Sequence, residues 1–198
     1  PVPTLAAPVS QLCTAAQFRE PVYRHWTDEI RSPARFSRKQ WEFVYILQAL
    51  DHHGMLAAGR RGVGFGCGRE PLAAVMAKHG AELVATDLDL DEARSKGWVD
   101  GRQHASQLSH LNRHGICPPA QFAARVSYET CDMNAVPERY HGQFDFTWSA
   151  CALEHLGSLR HGVDFIIASL RCLRPGGVAV HTTEFNLSSN EDTVETPG

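Results

Sequence analysis

Three glycines alternate with other residues in the segment GVGFGCGREPL, residues 62–72, and a glutamate and a proline follow them. Because glycine has no side chain, a turn in which it recurs lets a ligand approach the backbone closely. Turns of this kind, placed between a strand and a helix, bind cofactors that contain a nucleoside. The segment therefore predicts a cofactor site around Gly64, Gly66 and Gly68.

The glycine spacing does not fit a dinucleotide-binding turn. The pattern G-x-G-x-x-G requires a third glycine where Arg69 stands, counting from Gly64, or where Pro71 stands, counting from Gly66. Glu70 is predicted in the first turn of the next helix, where its carboxylate would repel a pyrophosphate. A nicotinamide oxidoreductase is therefore disfavoured, and a ligand with positive charge near this turn is favoured.

Acidic residues and a histidine recur at the predicted ends of later strands. Asp87 ends the run LVATD, Asp132 lies in CDMNAVP, and Glu154 and His155 lie in LEHLGS. Carboxylates can accept hydrogen bonds from ligand hydroxyl and amino groups, and imidazole is a general base near neutral pH. Structural alternatives remain. Asp87 can cap the next segment, Asp132 can be a turn residue before Asn134, and His155 can cap a helix or support the loop.

Alternating strand-like and helix-like segments are predicted to position these residues. Helices are predicted at 70–80 and 161–177, and strands at 61–65, 82–87, 124–132, 144–150 and 178–185. This alternation indicates an α/β fold, a doubly wound and mainly parallel sheet with helices on both faces. Ligand sites in such folds lie at the carboxyl ends of the strands, so the polar residues above are expected to converge there.

The N-terminal part, residues 1–58, is predicted to be a helical cap ahead of the α/β domain at 59–198. Ser37 is a candidate N-cap for a helix that ends at Gly54. Aromatic residues of the cap are candidates for the wall of an acceptor pocket, although at helical spacing they more often belong to a core: Trp26, Trp41 and Tyr45.

Composition excludes several classes of function. The 198 residues carry a net charge of -3, with no basic stripe that would predict nucleic-acid binding. No apolar run of about 18 residues predicts a membrane span, and six cysteines without a C-x-x-C pair indicate a reduced, cytoplasmic chain. A histidine-rich segment has no second close ligand pair, so no metal site is predicted there: His104, His110, His114 and Cys117.

Five motifs in order resemble those of the class I S-adenosylmethionine-dependent methyltransferases, over about residues 62–185. They are GVGFGCG after strand 1, LVATDLD at the end of strand 2, CDMNAVP after strand 3, FDFTWSACALEHL at strand 4, and LRPGGVAV before strand 5. The resemblance implies a Rossmann-like fold with S-adenosylmethionine as cofactor. In that class strands 6 and 7 follow strand 5, and the 13 residues after Phe185 are too few and too polar to supply them. These two strands are therefore expected to be missing, as in a C-terminally truncated chain.

The resemblance also assigns roles to residues. The glycine turn faces the methionine part of the cofactor, Asp87 accepts from the ribose hydroxyls, and Asp132 accepts from the adenine amine. The cofactor-binding set that it implies is Gly64, Gly66, Cys67, Gly68, Glu70, Asp87, Leu88, Asp132, Met133 and Ser149. Two positions depart from the family: its acid at the end of strand 1 is Gly64 here, and its last glycine is Glu70. Glu70 is therefore a hypothetical replacement for the missing partner of the methionine ammonium.

The methyl acceptor is predicted less directly. The chain is similar to bacterial methyltransferases associated with glycan and glycosyl-transfer pathways, which implies a hydroxyl of a sugar, glycan or small molecule as acceptor. His155 and Glu154 are then the candidate catalytic residues. A methyltransferase-like module that binds the cofactor or a partner, with little or no turnover, is the alternative. The oligomeric state is not predicted.

Overall fold

The computed structural model of the protein describes residues 2–89, 108–189 and 191. Its strands are β1 (Arg61–Gly64), β2 (Glu82–Asp87), β3 (Val126–Thr130), β4 (Phe144–Ala150) and β5 (Leu173–Thr182). All neighbouring pairs are parallel, and the strand order is β3-β2-β1-β4-β5. The order reverses beside β1, and the crevice at such a reversal is where ligands bind in open α/β sheets. The predicted Rossmann-like fold class is confirmed.

Helices cover both faces of this sheet. They are α1 (Pro21–Glu29), α2 (Arg38–His52), α3 (Leu72–Lys78), α4 (Pro119–Arg125) and α5 (Leu159–Arg171). Phe146 and Trp148 of β4 belong to a core cluster that includes buried residues of α1, α2 and α3. Phe165 of α5 packs in a second cluster with Val63 and Phe65. Two separate apolar clusters are what a doubly wound sheet requires, because both of its faces must be buried.

The glycines of β1 make room for aromatic residues on β4. Gly62 pairs with Phe146 and Gly64 pairs with Trp148 in the parallel ladder. A Cβ atom on Gly64 would lie 2.2 Å from the Trp148 ring and 2.5 Å from Cys67 Sγ, both far below van der Waals contact. An acidic side chain therefore cannot occupy position 64, which explains why this chain departs from the family pattern there.

Helix α2 begins where the sequence predicted. The Ser37 side chain accepts a hydrogen bond from the Gln40 backbone N–H, so it is the N-cap. The indole N–H groups of Trp26 and Trp41 donate to Gln48 and Gln17 at 2.8 and 2.9 Å, and both rings are buried. These two tryptophans are core residues because their bulk fills the space between the N-terminal helices and the sheet.

Several element boundaries differ from the prediction. Helix α5 ends at Arg171, and residues 175–177 lie within β5, where the ladder with β4 is irregular between Phe144 and Phe146. Helix α3 begins at Leu72, so Glu70 lies in the turn before the helix. The segment before β3 forms α4 up to Arg125.

In the described part of the chain, no helix is long and apolar enough to cross a membrane. The same residues contain no cluster of three or more histidine, cysteine, aspartate or glutamate side chains placed to hold a metal ion. His104, one member of the histidine-rich segment, lies outside the described residues.

Candidate cofactor and active site

A cavity of about 540 Å³ opens at the carboxyl ends of the central strands. The predicted site residues that line it are Gly66, Gly68, Glu70, Asp87, Leu88, Asp132, Met133, Glu154 and His155. They come from the ends of β1, β2, β3 and β4, and α2 adds further lining residues from the N-terminal part. The cavity therefore stands where the fold predicts a ligand site.

The backbone of the glycine turn has a conformation that residues with a side chain rarely adopt. Gly66 and Gly68 have φ angles of 59° and 50°, in the left-handed region that glycine adopts without strain. A Cβ atom on Gly66 would lie 2.9 Å from the Cβ atom of Ala152 and 3.4 Å from Met133 Sδ. The missing side chain at Gly66 therefore keeps this side of the cavity open.

Asp87 ties the end of β2 to the glycine turn. Its Oδ2 accepts from the Gly68 backbone N–H at 3.0 Å, and its Oδ1 accepts from the Leu88 N–H at 2.9 Å. The capping role considered for Asp87 is therefore present in the structure. These two bonds orient the side chain, and a carboxylate oxygen can accept more than one hydrogen bond, so the same group can also accept from a ligand hydroxyl.

Asp132 is held in the same manner after β3. Its Oδ1 accepts from the Asn134 backbone N–H at 2.8 Å and caps the short 3₁₀ turn Met133–Ala135. The turn role considered for this residue is real, and Asp132 also lines the cavity beside Met133. A fixed carboxylate with a second oxygen at the cavity wall can accept a hydrogen bond from a ligand amino group.

Glu154 and His155 belong to the 3₁₀ turn Leu153–His155 that follows β4. The Thr183 hydroxyl donates to Glu154 Oε2 at 3.4 Å, which links this turn to the end of β5. Cys151, between β4 and the turn, has a φ of 51°, a conformation that is uncommon for a residue with a side chain. Such backbone strain is found at functional sites, and Cys151 lines the cavity.

Three residues of the predicted cofactor-binding set do not line the cavity: Gly64, Cys67 and Ser149. Gly64 lies under Trp148, and Cys67 is buried beside it. Strand alternation directs Ser149 to the opposite face of β4, where its hydroxyl lies 2.8 Å from His181 Nδ1. Ser149 therefore does not line the cavity, whereas the neighbouring Ala150 and Cys151 do.

His181 at the end of β5 and Glu184 just beyond it differ in position. His181 Nε2 lies 3.0 Å from the Ser169 hydroxyl on α5, and burial lowers the pKa of His181 to about 4. It is a neutral core residue near pH 7. Glu184 lines the cavity and pairs with Arg38 at 2.9 Å.

Helix α2 supplies cavity residues that the sequence analysis missed. Arg38, Lys39 and Phe43 line the cavity, in place of the tryptophans and Tyr45 that were proposed for an acceptor pocket. Lys39 and Phe43 are spaced i, i+4, so they share one face of the helix, and the Lys39 ammonium lies 5.4 Å from the Phe43 ring centroid. That polar and aromatic stripe was visible in the sequence, but nothing local distinguished it from a solvated helix face.

Glu70 is a buried and strongly perturbed acid of the cavity. Burial raises its pKa to about 8, the Lys39 ammonium opposes this shift, and Glu42 adds to it. Its Oε1 lies 3.6 Å from Lys39 Nζ. Its Oε2 has no hydrogen-bond partner among the described residues and is buried. Strongly perturbed acids in clefts are typical of functional sites, and a cationic ligand group would satisfy this oxygen.

We expect the Glu70→Gln variant to be more stable than the wild type at alkaline pH. Between the ordinary carboxyl pKa of 4.5 and about 8, the folded chain keeps a proton that the unfolded chain has released. The free energy of unfolding therefore falls as pH rises through this window, and glutamine removes that fall. Denaturant unfolding at pH 5, 7 and 9 should show a difference that grows to roughly 1–4 kcal/mol.

Glu82→Gln, an exposed position on β2, is the matched control and should leave the pH dependence as it is in the wild type. Parallel stability curves for Glu70→Gln and wild type would contradict the raised pKa.

The cavity suits S-adenosylmethionine in size and in charge. Its volume lies in the range of about 300–1,000 Å³ that small-molecule sites occupy. The unsatisfied Glu70 oxygen suits an ammonium, and the carboxylates of Asp87 and Asp132 suit ribose hydroxyls and an adenine amine.

Comparison with known proteins agrees with this geometry. The family described as Methyltransferase domain matches residues 63–181, which is more than half of the chain. No curated protein sequence matches.

Several solved methyltransferase structures match at low identity. An S-adenosylmethionine-dependent methyltransferase from Mesorhizobium loti is 23% identical, with 69% of this chain and 52% of that chain covered and a TM-score of 0.46. The CcbJ methyltransferase from Streptomyces caelestis is 16% identical, with 73% and 52% covered and a TM-score of 0.49. The glycopeptide N-methyltransferase MtfA is 16% identical, with 69% and 50% covered and a TM-score of 0.48.

The chain spans about half the length of these solved structures. The match to the family runs from within β1 to within β5 and includes the ends of β1, β2, β3 and β4 that line the cavity. The chain belongs to the family of methyltransferase domains.

Proposed function

We propose that this chain binds S-adenosylmethionine and transfers its methyl group to a hydroxyl of a sugar, glycan or other small molecule. One observation carries the proposal: the glycine turn, Asp87, Asp132 and the Glu154–His155 pair all line a single cavity. The family assignment implies the cofactor, and the arrangement of the strand ends gives each part of that cofactor a chemically suitable partner.

The cofactor-holding residues are proposed as follows. Gly66 and Gly68 let the backbone approach the methionine part, and Glu70 accepts from the ammonium. Asp87 accepts from the ribose hydroxyls, with Leu88 as an apolar wall, and Asp132 accepts from the adenine amine beside Met133. Gly64 and Cys67 shape the turn from beneath, since neither lines the cavity.

Bound S-adenosylmethionine supplies an electrophilic methyl carbon on a sulfonium. The contribution of the protein is then to hold the acceptor oxygen in line with the carbon–sulfur bond, which is worth about 7 kcal/mol or more of the barrier. A hydroxyl acceptor must also lose its proton. His155 is proposed to take that proton, and Glu154 to orient the acceptor or the imidazole, because both lie at the cavity wall beyond β4.

The proposal that the acceptor is a hydroxyl depends on His155. A neutral amine needs little help with proton removal, whereas a hydroxyl needs a base, so a histidine at the acceptor side favours an oxygen acceptor. MtfA, one of the solved structures reported above, is a glycopeptide N-methyltransferase. A panel that contains both hydroxyl and amino acceptors therefore tests this part of the proposal.

We expect S-adenosylhomocysteine to raise the melting temperature of the protein. A ligand that binds only the folded state at 100 times its Kd stabilises by about 2.7 kcal/mol, which for a domain of this size is a shift of roughly 5–10 °C. Thermal unfolding and calorimetry at millimolar ligand measure this, with NAD as the comparison ligand. Binding of NAD in place of S-adenosylhomocysteine would contradict the proposal. Cofactor binding without turnover on the acceptor panel would favour the non-catalytic module.

A further inference from the structure

The Lys39 ammonium occupies a pocket built from three oxygen-bearing groups on three different elements. It donates to the Ala150 carbonyl at the end of β4 at 2.9 Å. It lies 3.4 Å from Glu42 Oε2 on α2 and 3.6 Å from Glu70 Oε1 in the glycine turn. Burial alone would lower the pKa of Lys39, but Glu70 and Glu42 raise it, so the side chain is a cation. The place is thus a built site for a charged nitrogen.

The single Lys39 ammonium lies between two acidic side chains, Glu42 and Glu70, and cannot pair fully with both. The Glu42 side chain is only 4% exposed and the Glu70 side chain only 10%. Glu70 Oε2 is buried without a hydrogen-bond partner among the described residues, and the buried Glu42 Oε2 has the 3.4 Å ion-pair contact with Lys39 but no hydrogen bond there. Arg38 reaches Glu42 at 3.6 Å but makes its shorter contact with Glu184, at 2.9 Å. A buried carboxylate with an unsatisfied oxygen is costly, so this pair has the capacity for one more cationic donor.

A zwitterionic ligand group can bind between Lys39 and Glu70, with its carboxylate at the lysine and its ammonium at the acid. The amino-acid end of S-adenosylmethionine carries an ammonium and a carboxylate on the same carbon, so it needs an acid and a base that lie side by side. Lys39 and Glu70 are such a pair, and both line the cavity. In the described part of the chain, Lys39 is the cation whose charged atom lies within 4 Å of Glu70.

We propose that Lys39 binds the α-carboxylate of the cofactor and so selects ligands that carry an intact amino-acid end; this inference rests on the proposed cofactor. Glu70 then takes the α-ammonium. Glu42 is the positioning residue, because it holds the Lys39 ammonium from the same helix when Glu70 pairs with the ligand. The Phe43 ring beneath the ammonium limits how far Lys39 can move.

Ligand truncation separates this role from general support of the cavity. S-adenosylhomocysteine contains the amino-acid end, whereas 5′-methylthioadenosine keeps the adenosine and the sulfur but lacks it. We expect Lys39→Met to weaken binding of S-adenosylhomocysteine about 10- to 100-fold, the range for one hydrogen bond to a charged group, and to leave 5′-methylthioadenosine affinity unchanged. Calorimetry with both ligands gives the two affinities, and no turnover is needed.

Lys78→Met is the matched control. Lys78, at the end of α3, pairs with Glu29 of α1 at 2.9 Å and does not line the cavity. It should leave both affinities unchanged. Glu42→Gln should weaken S-adenosylhomocysteine binding in the wild type and add nothing in the Lys39→Met background, as expected if Glu42 acts through Lys39. Lys39→Arg retains the charge and should recover part of the affinity, which guards against a Met variant that folds poorly.

The outcomes separate the inference from the proposed function. If Lys39→Met binds S-adenosylhomocysteine as tightly as the wild type or more tightly, the inference alone is overturned. An equal loss of affinity for S-adenosylhomocysteine and 5′-methylthioadenosine would overturn it as well. A wild-type protein that binds neither ligand would overturn the proposed cofactor and this inference with it.

Discussion

Replacing Asp87 with alanine is expected to weaken S-adenosylhomocysteine binding about 10- to 100-fold. A hydrogen bond to a charged group is worth about 1.5–3 kcal/mol, and the ribose would lose its acceptor. The same change removes the contacts to the Gly68 and Leu88 N–H groups at 3.0 and 2.9 Å, so the glycine turn loosens as well. Calorimetry on wild type and variant measures the loss of affinity, and thermal unfolding without ligand measures the structural part.

Asp89→Ala is the matched control, since Asp89 is exposed, lies two residues farther on and does not line the cavity. It should change the affinity little. A second comparison isolates the ribose contact: the wild type should prefer 5′-methylthioadenosine to its 2′-deoxy analogue, and Asp87→Ala should lose that preference. A larger effect of Asp89→Ala would mean that the ribose acceptor is misassigned at the end of β2.

The strand ends could be predicted because their signals are local. Apolar runs bounded by glycine, proline and acidic residues marked all five strands, and strand ends in a parallel sheet share one edge. Asp87, Asp132 and His155 were therefore expected to converge, and the structure places all three at one cavity. The N-cap at Ser37 was predictable for the same reason, because capping depends on residues within one helical turn.

The rest of the site depends on contacts between distant residues. The sequence showed that Gly64 replaces the expected acid, but only its pairing with Trp148, 84 positions later, gives the reason. Lys39 was one of several basic residues in the segment RSPARFSRK, and its role emerges from contacts with Ala150 and Glu70. The side-chain direction of Ser149 followed from strand alternation, once Trp148 was known to face the core that contains α2.

The chain has Gly64 where the family has an acidic residue at the end of β1. Trp148 fills the space beside Gly64, and we propose that Glu70 in the following turn takes over the acidic function. Because Glu70 is buried there, its pKa is raised to about 8 even with the Lys39 ammonium 3.6 Å away, so near pH 7 most Glu70 side chains hold a proton. Binding of a cationic ligand group at Glu70 should therefore release a proton, and the affinity for that ligand should rise as pH increases toward 8.

His155→Ala is expected to lower the rate of methyl transfer about 10²–10⁴-fold, the usual cost of losing a general base. The affinity for S-adenosylhomocysteine should change little, because the cofactor contacts proposed above come from the glycine turn, from the ends of β2 and β3, and from Lys39 on α2. His155 stands instead in the turn after β4, on the same cavity wall as Ala150 and Cys151. Single-turnover kinetics gives the rate, and calorimetry gives the affinity.

The pH dependence of the variant distinguishes a base from a structural residue. If the acceptor is a hydroxyl, raising the pH ionises more of it and should partly restore the rate of His155→Ala, whereas a distorted loop would show no such recovery. His161→Ala, at an exposed histidine in the first turn of α5, is the matched control and should keep the wild-type rate. An unimpaired His155→Ala enzyme would leave alignment of the acceptor as the main catalytic device. Lost cofactor affinity without a rate defect would place His155 in the cofactor site, and the proton of the acceptor would then need another base on the same wall, where Glu154 is the neighbouring carboxylate.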